Sequence, residues 1–110
     1  MSQPSFIDKF SQQFSLEPSR TALLIIDMQN ATGNREMGLG KLLAEQGSIE
    51  SAQYRFDRIE NLLIPNIQRL IAGFRDAGAH IIWITYGANA ADASDAPRHI
   101  APIIKATNNI

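Results

Sequence analysis

The chain has no cysteine among its 110 residues, which excludes a disulfide scaffold, a thiolate metal site and an internal cysteine nucleophile. It has little excess charge: Lys and Arg total 10 against 11 for Asp and Glu, a formal net charge of −1. So even a balance gives no electrostatic footing for nucleic acid or an anionic membrane surface. Long apolar runs are also missing; the longest reach about six or seven residues, where a bilayer span needs about 20. The opening stretch, MSQPSFIDKFSQQFSLEPSR, lacks the basic flank and apolar core of a secretion signal. These absences lead to the expectation of a cytoplasmic globular domain with no nucleic-acid or membrane partner. What is present is a hydrophobic fraction of 45%, enough for one core in one domain.

Residues 1–20 form an N-terminal arm without sustained periodicity. Phe6, Phe10 and Phe14 recur every fourth residue, which fits a short amphipathic helix ending before Pro18 or an arm that packs its aromatics on the body. The clearest strand is 21–27, TALLIID, whose run Ala22-Leu23-Leu24-Ile25-Ile26 does not alternate with polar residues. Such a strand belongs in a parallel sheet covered on both faces. Residues 35–46 read as a loop with Gly38 and Gly40 followed by a short helical piece, and 50–63 as irregular with some helix. The segment PNIQRLIAGFRDA, 65–77, predicts a helix opened by Pro65 and stopped by Gly78. Its Ile67, Leu70, Ile71 and Phe74 fall on one stripe, expected to be buried. A second strand, 79–86, AHIIWITY, follows directly, and a short helix is expected over 98–105.

Strand, helix and strand in this order make a βαβ crossover, hence an α/β fold with adjacent parallel strands. Two buried strands alone leave open backbone edges. Residues 21–110 are therefore expected to be the first half of a larger α/β domain.

Asp27 is the leading candidate for chemistry, because ligands of open α/β sheets gather at the carboxyl ends of the strands. Two readings stand side by side: a general base in a partly desolvated position, or a carboxylate that caps the following turn through Asn30 or Thr32. The glycines of GNREMGLGK do not make a phosphate loop, since Leu39 stands where lysine is needed and Leu42 follows Lys41. His80 and His99 have no carboxylate at ligand spacing, so neither a metal site nor a cofactor is expected.

The segments TALLIIDMQN and IPNIQRLIAGFRDAGAHIIWITYG together resemble the isochorismatase-like cysteine hydrolase superfamily over residues 19 to about 105. The resemblance implies a Rossmann-like three-layer α/β/α sandwich around a parallel sheet, present here as an incomplete N-terminal portion. It also implies hydrolysis of a C–N (amide) bond in a small-molecule substrate by an Asp-Lys-Cys triad. Asp27 matches the aspartate, and Gln29 and Tyr86 fall where substrate would bind. The cysteine has no counterpart in this chain, and Lys105 comes too early and in the wrong setting to be the lysine. The alternative is a non-catalytic α/β module that self-associates or pairs through an exposed sheet edge, with a homo-oligomer expected.

Overall fold

Aliphatic runs bordered by turn-forming residues become two short strands. In a computed structural model describing residues 5–110, β1 spans Ala22–Ile26 and β2 spans His80–Ile84. They pair in parallel, with Ala22 opposite His80 and Ile26 opposite Ile84. Between them lie α1 (Asn30–Gly33), α2 (Gly38–Glu45), α3 (Gln53–Arg58) and α4 (Ile64–Asp76); α5 (Ala101–Thr107) follows β2. The fold is mixed α/β around a two-stranded parallel sheet.

Four expectations need correction. Residues 53–76 are helical throughout, joined by a wide π-helical turn at Ile59–Leu63, where irregular structure with only some helix was expected over 50–63. Pro65 therefore sits inside a continuous rod and not at its start. Proline cannot donate to the preceding turn and its ring pushes that carbonyl away. The widened register just before it is where the rod absorbs this.

The second correction concerns where the expected short helix within 35–46 begins: it holds Leu42 and Leu43 as expected but starts earlier. The helix α2 begins at Gly38, whose φ is +50° and whose missing Cβ would run into the Ala31 backbone. Glycine is needed there for tight packing and not for phosphate. Arg35 fixes this turn to α3: its guanidinium binds Asp57 at 2.5 Å and Glu60 at 2.9 Å and lies 5.6 Å from the centre of the Phe56 ring.

The third correction concerns cover. Paired residues of a parallel sheet point to the same face. Ile25 and its partner Trp83 face α4, because Trp83 shares a cavity wall with Ile67 and Ile71, and Ile25 is 4% exposed. The opposite face carries Leu24, Ile26, Ile82 and Ile84, exposed at 49, 57, 47 and 39%. The strands were expected to be buried on both faces; among the described residues only one face is covered. With so small a sheet beneath it, the helix stripe is not fully buried either: Ile67, Ile71 and Phe74 are half-buried and Leu70 is exposed.

The arm also differs from expectation. A one-turn 3-10 helix at Phe6–Phe10 is capped reciprocally by Ser5 and Asp8, Phe14 lies beyond it, and the aromatics stay exposed. The Cα radius of gyration is 18.6 Å, whereas a compact 110-residue domain is expected near 13 Å. The largest fully buried side chains are Phe56, in α3, and Ile104, which packs with Ala88 and Ala93 in a small cluster.

Candidate active site

The carboxyl ends of both strands converge on one surface. Asp27 leaves β1 with φ +59°, in the left-handed region that aspartate tolerates better than most side chains. Its N–H donates to the Ile84 carbonyl at 2.8 Å, adding a last rung to the ladder before the chain turns away. The carboxylate is exposed, not desolvated as the sequence suggested, and makes no hydrogen bond among the described residues. Capping of the turn is not realised, since α1 has Gln29 at its N-cap position and no side-chain cap bond.

Gln29 and Tyr86, both expected at the substrate, are brought together. Gln29 Nε2 donates to the Tyr86 carbonyl at 2.6 Å, and the Tyr86 N–H donates to Gln29 Oε1 at 2.9 Å. The second Nε2 hydrogen serves Asn109 Oδ1 at 2.8 Å. Both donors of this carboxamide are thus committed to protein groups. Gln29 acts on the site by holding the β1 and β2 exits in register, while the Tyr86 side chain stays exposed.

Asn109, which the sequence did not single out, closes the arrangement. Its carbonyl accepts the Ala88 N–H at 2.9 Å, and it passes so close to Gly87 that a Cβ there would lie 2.9 Å from the Asn109 oxygen. The left-handed Asn108, φ +53°, ends α5 and aims Asn109 at this junction. The cue in the sequence is the Thr107-Asn108-Asn109 helix stop, but its partner lies about twenty residues upstream.

Beside this junction is a cavity of about 430 Å³, within the range of small-molecule sites. Ile64, Ile67, Ile71 and Trp83 form an apolar wall, and Asn30, Asn34, Gln68 and the Arg35–Glu60 pair supply polar groups. Its neighbours Met28, Gln29 and Asn30 line it, whereas Asp27 does not. The bonds to Glu60 and then Asp57 raise the Arg35 pKa further above its ordinary value, so this guanidinium is a permanent cation on the rim. Lys105 is exposed in the last turn of α5 and borders a different groove with Asp92 and Arg98.

Among the described residues, no group of three His, Asp or Glu side chains could hold a metal ion, and no helix is long and apolar enough to cross a membrane. The surface offers a proton acceptor beside a small cavity, without a thiol. Compared with protein-family profiles, curated proteins and solved structures, the chain gives no significant match.

Proposed function

We propose that residues 21–110 form the aspartate-bearing part of an isochorismatase-like hydrolase that cleaves a C–N bond of a small amide, with the nucleophilic thiol supplied from outside these residues. The observation that carries this reading is Asp27 at the carboxyl end of a parallel strand, bound to its neighbouring strand through Ile84 and followed directly by Met28, Gln29 and Asn30, which line a pocket of substrate size.

In this reaction Asp27 takes the thiol proton as sulfur attacks the amide carbonyl, and a lysine outside these residues steadies the oxyanion. The C–N bond then breaks, the amine leaves with the proton returned by Asp27, and a thioester remains. Water, deprotonated by Asp27, hydrolyses the thioester to the carboxylic acid and restores the thiol. The part played by Gln29 is to hold Tyr86 and the β2 exit beside Asp27.

The protein purified under native conditions, together with whatever remains bound to it, is assayed on a panel of small primary amides before and after iodoacetamide. The expected result is hydrolysis that is lost both on alkylation and in Asp27→Asn, although these 110 residues contain no thiol. Hydrolysis that survives alkylation, or no hydrolysis of any amide, overturns the reading.

One observation favours a second reading: among the described residues, the uncovered sheet face and the unpaired outer edges of β1 and β2 suit a non-catalytic module that pairs with another chain.

A further inference from the structure

The uncovered sheet face and the N-terminal arm are apolar surfaces of the same chain, and among the described residues neither is covered. Phe6, Phe10 and Phe14 are exposed at 77, 74 and 74%, and Ile7 and Leu16 are comparably bare. The arm is nonetheless preformed: Ser5 and Asp8 cap its turn, and the Phe6 and Phe10 rings meet edge to face with centroids 5.4 Å apart. A preformed aromatic element loses little conformational freedom on docking.

From this we infer that residues 5–17 of one copy cover the Leu24, Ile26, Ile82 and Ile84 face of a second copy, and reciprocally. The root of the arm explains why the exchange runs between chains. Leu16 and Pro18 line a groove with Leu70 and Phe74 of α4, on the side of the sheet that the helix already covers. Thr21 Oγ1 donates to the Glu17 carbonyl at 2.6 Å and fixes that direction. The arm thus starts from the helix-covered side of the sheet, opposite its own open face.

The areas agree with this arrangement. The chain exposes 8645 Å², whereas a folded monomer of its 12.1 kDa is expected to expose about 6,000 Å². Three phenylalanines of about 150–250 Å² each, docked reciprocally, remove about 900–1,500 Å² from the two arms, to which the two covered sheet faces add. Together they reach the roughly 1,200–2,000 Å² of a stable interface. The arm takes the face that the second helix layer of a three-layer sandwich would take, so the inference stands on the arm and not on the hydrolase reading.

The absence of cysteine makes the test clean. Phe10→Cys and Ile82→Cys are made in separate full-length chains, one carrying a mass tag, then mixed and oxidised at micromolar concentration. Exposed Glu45→Cys replaces Ile82→Cys as the control. The expected result is a mixed disulfide at least tenfold more abundant with Ile82→Cys than with Glu45→Cys, and sedimentation of the unmodified chain as a dimer. Phe10→Asp combined with Phe14→Asp, outside the sheet and the α-helices, is expected to sediment as a monomer. A monomeric unmodified chain, an ill-defined aggregate or a dimer without the cross-link preference overturns the inference. So does closure within one chain when both cysteines are placed in it.

Discussion

The carboxamide of Gln29 and the backbone of Tyr86 form a closed two-bond ring, with Nε2 on the carbonyl at 2.6 Å and Oε1 on the N–H at 2.9 Å. The side chain supplies the donor and acceptor that a further strand residue would have supplied. It carries the parallel pairing past the point where Asp27 turns out of β1. Sheet, site and C-terminal segment meet at this ring, because its remaining N–H serves Asn109.

Gln29→Ala removes three hydrogen bonds and is expected to cost about 1–3 kcal/mol. Urea unfolding measures the loss. Faster amide exchange at Tyr86 and Ala88 shows that it originates at the strand exits. Unchanged exchange at both amides would mean that the ring does not hold the junction.

At Asp27 the backbone and the chemistry can be separated. Asn accepts the left-handed conformation almost as readily as Asp, so Asp27→Asn is expected to change stability by no more than about 0.5 kcal/mol. Asp27→Val puts a branched side chain at φ +59° and is expected to cost at least about 1–2 kcal/mol. Thermal melts of the two variants check this ordering. If it holds, any activity lost in Asp27→Asn is lost chemistry and not lost fold, and a general base is expected to contribute about 10²–10⁴-fold.

Asp95 gives a pH signature. It accepts the N–H of Asn89 at 2.9 Å and of Ala90 at 3.2 Å, and these bonds hold its carboxyl below the ordinary value of 3.8. A carboxyl whose folded-state pKa is depressed stabilises above its unfolded value and loses that contribution as pH falls through the folded one. Amide protection at Asn89 and Ala90 is expected to hold at neutral pH and to fall below about pH 3.8. In Asp95→Ala it is expected to be low throughout, with no acid-dependent step.

The strands were legible because Ala22–Ile26 and His80–Ile84 are near-continuous aliphatic runs closed by turn residues. Their parallel pairing followed from the helix between them. Pro65 misled, because a proline at a helix start and one absorbed by a widened turn look alike in sequence. The aliphatics of Leu24 and Ile26 state that a face wants cover, but a strand pattern does not say which chain segment provides it. The Gln29 ring was illegible for another reason: a glutamine side chain bonding backbone 57 residues away leaves no periodic trace. Asp27 was singled out by position, from the rule that ligands collect where parallel strands end, and by the resemblance carried by TALLIIDMQN.

The most direct test of the hydrolase reading is to find where the acyl group lands. The natively purified protein is mixed with a reactive amide, quenched in acid within one turnover and digested, and the peptide carrying the added acyl mass is identified. The account expects a thioester on a cysteine outside residues 1–110, formed quickly in the unmodified protein and at least about a hundredfold more slowly in Asp27→Asn. An acyl group on any residue of this chain, or a thioester that forms equally fast without the Asp27 carboxylate, would contradict it.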